Sequence, residues 1–338
     1  MNRKAVALVS GGLDSALAVR IMQEQAIEVE GLHVHLPFAC CRLEAAKMAL
    51  ELGISITVTS AGDDYFEMLK NPRYQYGRGA NPCTDCRIYL LRMARHFMRT
   101  VDASFVVTGE VKGQRPNSQL AHHLRSVEEE SGLKGLLLRP LCAKILRPTL
   151  PEKKGIVDRN RLYRFSGRSR APLIELARRL NLETIPSASG GCPLAEHGFG
   201  RKVLDLIRHD PDAGRWDFEL LSVGRHFRLD ESTKVVVSRD EGENERLRDS
   251  AQRAPHANVT YVRPRGFHGA HGLIVGPADK ETIHRAASFL AGYSRQFDPA
   301  VHEFEYGISP ESMSCLRGVQ PESPRAIRHL MVSRVHRQ

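Results

Sequence analysis

Two groups of residues in this 338-residue chain have types and spacings suited to chemistry. The first is Ser10-Gly11-Gly12-Leu13-Asp14-Ser15, which follows the apolar run Ala5-Val6-Ala7-Leu8-Val9 and precedes a helix-like run from Ala16 to Gln23. A buried strand, a glycine turn and a helix N-terminus together make an anion site. Glycine lets backbone approach the anion, and unused N–H groups with the helix dipole bind it. No Gly-Lys-Ser/Thr follows, so this is not the Walker pattern. A plain glycine turn would account for a lone Gly-Gly. The full hexapeptide in a strand–turn–helix setting favours a phosphate site.

The second group is cysteine. Asn81-Pro82-Cys83-Thr84-Asp85-Cys86 opens a helix-like run, and Ser189-Gly190-Gly191-Cys192-Pro193 places a third thiol in a glycine loop. Thiols one helical turn apart can reach one metal or cluster, and a helix N-terminus favours thiolate. Five readings stay open: a structural zinc, an iron–sulfur cluster on three cysteines, a redox dithiol with Cys192 as bystander, persulfide chemistry on one cysteine with a resolving disulfide, and plain buried thiols. Spacing alone leaves zinc and cluster level. Zinc commonly takes four ligands, and no second C-x-x-C or evident histidine partner accompanies these three. Cys40, Cys41, Cys142 and Cys315 read as packing or incidental residues.

The elements that must position these groups alternate over the first 200 or so residues. Strand-like runs at 4–10, 28–37, 54–60, 104–109 and 135–141 interleave with helix-like runs at 15–25, 42–52, 84–100 and 171–182. The alternation predicts an α/β fold, a parallel sheet with helices on both faces. The glycine loop then sits at a strand's carboxyl end, where such sheets bind ligands. Beyond about 201 the pattern changes to short strands at 225–229, 234–239, 259–263 and 273–275, with helices at 243–252 and 280–293. We expect domains at 1–205 and 206–294, the second a small α+β module, and an irregular tail over 295–338.

Lys and Arg number 49 against 39 Asp and Glu, a net charge of +10 with a sequence pI near 9.4. That balance suits a polyanionic partner such as RNA. Seven cysteines, an odd count, argue against a disulfide framework. No apolar run approaches the ~20 residues of a membrane helix, and the opening residues do not read as a signal peptide. A cytoplasmic protein without membrane association is expected.

The order S-G-G-x-D-S resembles the PP-loop of the ATP pyrophosphatases (an adenine nucleotide alpha-hydrolase-like fold), and with C-x-x-C and a remote Cys the chain resembles the tRNA thiolation enzymes. Val107-Thr108-Gly109-Glu110-Val111-Lys112-Gly113-Gln114-Arg115-Pro116-Asn117-Ser118-Gln119, Leu138-Arg139-Pro140-Leu141 and Ser166-Gly167-Arg168-Ser169-Arg170 sharpen this towards 4-thiouridine synthetase-like proteins. Residues 210–290, with Val223-Gly224-Arg225-His226-Phe227-Arg228-Leu229 and Ser238-Arg239-Asp240-Glu241-Gly242-Glu243-Asn244, resemble an NFACT-type RNA-binding domain.

The resemblance implies roles. Ser10, Gly11, Gly12, Asp14 and Ser15 would bind ATP phosphates, with Asp14 near Mg²⁺, and Thr108 and Gly109 would line the pocket. Cys83, Cys86 and Cys192 would hold a 4Fe–4S cluster and, with Asp14, carry catalysis. Arg115, Arg168 and Arg170 would contact phosphate or RNA, Arg168 and Arg170 standing at even odds with a solvated basic turn. Arg225, His226, Arg228, Lys234 and Arg239 would form a basic strand face for RNA, against the alternative of a charged edge strand resisting aggregation.

The implied activity is ATP-dependent sulfur transfer to a tRNA uridine, giving 4-thiouridine at position 8. The partners would be tRNA and a sulfur donor, either sulfide or a persulfide carrier, and a homodimer is possible. The THUMP and rhodanese domains of the better-known 4-thiouridine synthetase are not seen in this sequence, so RNA docking would fall to the C-terminal module or a partner, and sulfur would come from elsewhere, which favours a cluster-bound sulfide. Two other functions remain open: a PP-loop transferase or amide-forming ligase acting on a small molecule, and a non-catalytic RNA-binding protein.

Overall fold

The computed structural model describes residues 1–38, 42–115, 118–186, 191–255, 257–308 and 312–333. Cys40, Cys41, Pro116, Asn117, Ser189 and Gly190 of the motifs above lie outside them. The chain divides into two compact units, residues 1–77 with 82–192, and residues 78–81 with 193–338.

The first unit is built on five strands: β1 (Lys4–Leu8), β2 (Glu28–His35), β3 (Ile56–Ser60), β4 (Phe105–Val107) and β5 (Leu137–Leu138). They lie in the order β3-β2-β1-β4-β5, all parallel. The crossovers are α1 (Leu13–Gln23), α2 (Arg42–Leu52), α3 (Asp64–Lys70) with α4 (Cys83–Thr100), and α5 (Ala121–Glu130). A short α6 (Leu150–Lys153) and α7 (Ala171–Arg179) follow. Period-2 alternation sends Ala5, Ala7 and Val107 into one core with α1 and α7, and Val6, Leu32, Val34 and Val106 into the other with α4. Both faces are covered, as the apolar strands require. Strand order reverses at β1, between β2 and β4, so the crevice lies at the ends of β1 and β4.

The second unit holds α8 (His197–His209), α9 (Arg215–Leu220) and a six-stranded antiparallel sheet in the order β11-β10-β8-β9-β7-β6. Its strands are β6 (Arg225–Arg228), β7 (Lys234–Val237), β8 (Val259–Arg265), β9 (Gly272–Val275), β10 (Glu303–Gly307) and β11 (Ser314–Leu316). Helix α10 (Glu241–Gln252) packs on the face carrying Val236, Tyr261 and Leu273. Helix α11 (Lys280–Tyr293) packs on the face carrying Phe227, Val235, Val237 and Ile274. The segment expected as an irregular tail supplies β10, β11 and a 3-10 turn at 326–330. Met331 bridges to Phe227 and the Val332 N–H donates to the His226 carbonyl, so the tail covers the outer edge of β6.

Candidate functional site

The turn from β1 into α1 is held open by glycine. Gly11 has φ +77°, and a Cβ there would lie 2.8 Å from the backbone of Glu44 and Ala45. Gly12 is the N-cap of α1 and supplies no side-chain acceptor, so the first-turn N–H groups are left for another anion. Ser15 Oγ donates to the Gly12 carbonyl at 2.8 Å and stands 3.3 Å from Ser10 Oγ, which fixes the loop. On the opposite side the chain leaves β4 through Thr108 and Gly109. A Cβ on Gly109 would fall 2.3 Å from the Asp14 carbonyl, so the two strand ends meet backbone to backbone.

Between them opens a cavity of about 250 Å³ whose walls include Ser10, Asp14, Ser15, Thr108 and Gly109. Gly11 and Gly12 shape the turn; they are not among the cavity's lining residues. Asp14 and Glu110 are its lining carboxylates among the described residues. Burial pushes the Asp14 carboxyl up, opposed by the Gln114 amide donating to Oδ2 at 2.9 Å and by the charges of Arg170 and Arg115. Both arginines are thus within electrostatic reach of the loop's acid. Arg115 lines the cavity mouth and Arg170 also donates to the Pro186 carbonyl, whereas Arg168 is exposed.

Glu110 has a different environment. Burial alone would raise its pKa, but Arg139 and Arg87 outweigh that and hold it below the usual carboxylate range. Its Oε2 accepts from Arg139 Nε at 2.9 Å and from Thr108 Oγ1 at 3.0 Å, and its Oε1 lies 3.2 Å from Arg87 Nε. Arg139 is 3% exposed and also donates to the Leu124 carbonyl. This buried network adjoins the cavity, which Glu110, Arg87 and Thr108 line. Its traces in the sequence are Glu110 directly after Thr-Gly at a strand end, Arg87 directly after the C-x-x-C, and Arg139 within Leu138-Arg139-Pro140-Leu141.

Cys83 and Cys86 open α4, where Asp85 accepts from the Arg73 and Tyr74 N–H groups and anchors the preceding loop. Cys83 and Cys86 are half-buried and Cys192 is exposed. Burial pushes the Cys86 thiol up to about 11, opposed by the Tyr65 hydroxyl 3.7 Å away and the Arg87 charge. The charges of Cys192 and Cys83 act on Cys86 as well, and that of Cys192 on Tyr65, so the fold brings all three thiols into one neighbourhood. Among the described residues, however, no group of three His, Cys, Asp or Glu side chains is arranged to hold a metal ion. Arg87 joins the two halves of the site: it acts on Cys86 and lines the 250 Å³ cavity.

The expected basic strand face does not form in the second unit. Alternation does turn successive residues to opposite faces, but helices cover both. His226 is buried, donates Nε2 to the Val223 carbonyl at 2.9 Å, and burial holds its pKa well below the ordinary value. Lys234 is 4% exposed and burial lowers its pKa to about 8. Neither is placed to meet a phosphate. Arg228 pairs with Asp205 at 2.6 Å, and Arg239 with Glu243 at 2.7 Å. Arg225 lies over the Tyr293 ring, 4.7 Å from its centroid.

A five-stranded parallel sheet with an uncapped glycine loop at its switch point defines an α/β domain of the HUP, PP-loop-like fold. Comparison with known families agrees. Residues 3–134 match the family described as tRNA methyl transferase HUP domain, and residues 224–331 the family described as NFACT protein RNA binding domain. Curated relatives are tRNA-specific 2-thiouridylases. That of Caldanaerobacter subterraneus subsp. tengcongensis is 30% identical over 240 residues, covering 64% of this chain and 62% of the relative. That of Acidithiobacillus ferrooxidans is 35% identical over 102 residues, covering 26% and 28%. That of Clostridium acetobutylicum is 28% identical over 151 residues, covering 38% of each. The chain thus spans between about a quarter and three fifths of the length of these relatives.

Proposed function

We propose that the protein is an ATP-dependent enzyme that replaces a uridine oxygen of tRNA with sulfur. The observation that carries this reading is Arg87, which lines the phosphate-loop cavity and acts on the Cys86 thiol at once. The cavity at the glycine loop and the thiols are thereby neighbours in one unit, which supports the reading. The names of the curated relatives point the same way.

The cavity's residues fit ATP. The first-turn N–H groups of α1 and the Ser10 and Ser15 hydroxyls would hold the pyrophosphate end, with Arg115 and Arg170 neutralising it. Asp14 would hold Mg²⁺ beside the phosphates. ATP supplies an activated phosphorus: the uridine oxygen displaces pyrophosphate from it and becomes part of a good leaving group, AMP. To reach the site, the base must leave its stack.

Sulfur delivery is assigned to the thiols. Cys192 is exposed and takes a persulfide from a carrier. Its outer sulfur attacks the activated ring carbon and AMP departs with the oxygen. Cys86 then attacks the Cys192 sulfur. The persulfide S–S bond breaks, its electrons go to the base-bound sulfur, and a Cys86–Cys192 disulfide remains for an external dithiol to reduce. No step is routed through a cluster.

The carbon modified is part of the proposal. The sequence resemblance favours 4-thiouridine at position 8, whereas the relatives' names favour carbon 2.

The test is incubation of the full chain with ATP, Mg²⁺, unmodified tRNA and a persulfide donor, reading pyrophosphate release and the nucleosides by mass spectrometry. Pyrophosphate release lost in Asp14→Asn, with 2-thiouridine or 4-thiouridine formed by wild type, supports the reading. No pyrophosphate with any tRNA from a folded protein overturns it. Iron and acid-labile sulfide near cluster stoichiometry, lost in Cys83→Ala, Cys86→Ala and Cys192→Ala, would replace the persulfide route with cluster-bound sulfide.

A further inference from the structure

The second unit holds a cavity of about 350 Å³, within the range of small-ligand pockets. It opens where the ends of β6 and β7 meet the start of α10 and the end of α11. All its lining residues fall inside the span matched by the RNA-binding family. One wall is a cation–π pair: the Arg225 guanidinium lies over the Tyr293 ring, 4.7 Å from its centroid, and is held by an Nη1 hydrogen bond to the Ser238 carbonyl at 3.1 Å. A guanidinium fixed on an aromatic ring is a flat cationic platform of the sort on which bases stack.

The rest of the wall is preorganised. Ser294 Oγ accepts from the Ala270 N–H at 3.1 Å and donates to the Leu290 carbonyl at 2.8 Å. A Cβ on Gly269 would fall 2.3 Å from that oxygen, so the backbone is pressed against it. Both ends of the Asn244 amide are used within the fold, Oδ1 by Ser238 and His271 and Nδ2 by Glu241 and the Gly269 carbonyl. The chemistry left facing a ligand is the platform and the cations, chiefly exposed Arg295. Asp240 and Glu241 also line the cavity. Two carboxylates oppose a multiply charged triphosphate more than a phosphodiester, which carries one charge per nucleotide.

We propose that this cavity receives one nucleotide of an RNA strand, its base stacked on the Arg225–Tyr293 platform and its phosphodiester beside Arg295. The proposal rests on the reading of this unit as RNA-binding and goes beyond it, since it replaces an unspecific basic face with a single-nucleotide pocket. It also uses Arg225 while leaving out His226 and Lys234, which the fold buries.

The test is fluorescence anisotropy of the full chain with labelled tRNA and with a short single-stranded RNA, with UMP and AMP as competitors. Stacking is worth ~1–3 kcal/mol per base, so Tyr293→Leu and Arg225→Lys are expected to weaken binding by about 5- to 150-fold. Arg225→Lys does so although the charge is kept. Tyr293→Phe, which retains the ring, should bind within about two-fold of wild type, and Arg295→Gln should flatten the salt dependence by roughly one phosphate contact, a log–log slope change of ~0.7 to 0.9. Millimolar UMP or AMP should not displace the RNA. Equal affinity of wild type, Tyr293→Leu and Arg225→Lys, all with the same melting temperature, overturns the pocket and leaves the RNA-binding reading standing. Displacement by micromolar UMP or AMP makes it a mononucleotide site and overturns the polynucleotide ligand. Failure of wild type to bind any RNA removes the RNA-binding reading itself.

Discussion

Gly109→Ala tests the geometry of the site with one methyl group. Its Cβ would lie 2.3 Å from both the carbonyl carbon and oxygen of Asp14 and 2.6 Å from the Ser15 nitrogen. All three are backbone atoms, so no side chain can rotate aside. Ordinary contact begins at 3.4 Å, and the β4 end and the glycine loop must part by about 1 Å. Overpacking of this sort costs ~1–3 kcal/mol. At ~2–4 °C per kcal/mol for a unit of this size, the melting transition falls by about 2–12 °C. A 1 Å displacement of positioning groups can cost about 100-fold in rate, so ATP-dependent pyrophosphate release should fall by that order. Gly12→Ala is the control: with φ −92° its Cβ meets nothing closer than Ser10 Oγ at 3.5 Å, and its melting should match wild type. Circular dichroism melts and a coupled pyrophosphate assay read both quantities. If Gly109→Ala melts within a degree of wild type and releases pyrophosphate at full rate, the two strand ends do not pack as described and the reasoning fails.

Other outcomes follow from the buried charges and thiols. Glu110→Gln leaves Arg139 buried without its main counter-charge and should cost ~3–5 kcal/mol in denaturant melts. Because the Glu110 pKa is lowered in the fold, its contribution is present above the ordinary carboxylate pKa and lost as pH falls through the folded value, so wild type should lose its advantage over the variant in acid. Lys234, pushed down to about 8 from 10.5, also makes stability rise with pH, but as a burial penalty relieved on deprotonation. Below about 8 both folded and unfolded forms carry the proton and the burial penalty is whole; between 8 and 10.5 only the folded form has lost it, so stability rises with pH. Lys234→Met should therefore be more stable than wild type at neutral pH, by at most roughly 3 kcal/mol, with the gap closing towards pH 10 and tRNA affinity unchanged. Iodoacetamide at pH 8 should label exposed Cys192 well ahead of Cys86, whose thiol is pushed up to about 11, and peptide mapping would show the reverse order if the exposure is misassigned.

Local pattern alone makes the parallel sheet, the glycine loop and the second module legible in the sequence. Apolar runs of four or five residues, a glycine pair before a helix, and 3.6-residue periodicity need no distant partner to be read. The loop residues Ser10 to Ser15 fall where that pattern puts them, at the end of β1. Elements whose stability is borrowed from elsewhere were not legible. Strand β10, Glu-Phe-Glu-Tyr-Gly, has one fully buried side chain, Phe304, and exists because β8 and β11 supply its hydrogen bonds. Helix α5 carries Leu124 and Val127 as its buried side chains, too few for a clear period.

The site divides in the same way. Sequence names the thiols and the acid, but only the fold makes Arg87 common to the cavity and Cys86, sets Glu110 between Arg139 and Arg87, and pairs Arg225 with Tyr293 from 68 positions away. It also took His226 and Lys234 out of reach of any phosphate by burying them, while Arg225 and Arg228 at the two ends of β6 stay half-buried. Charge is a property of the residue and can be read in one dimension; exposure and proximity belong to the packed chain.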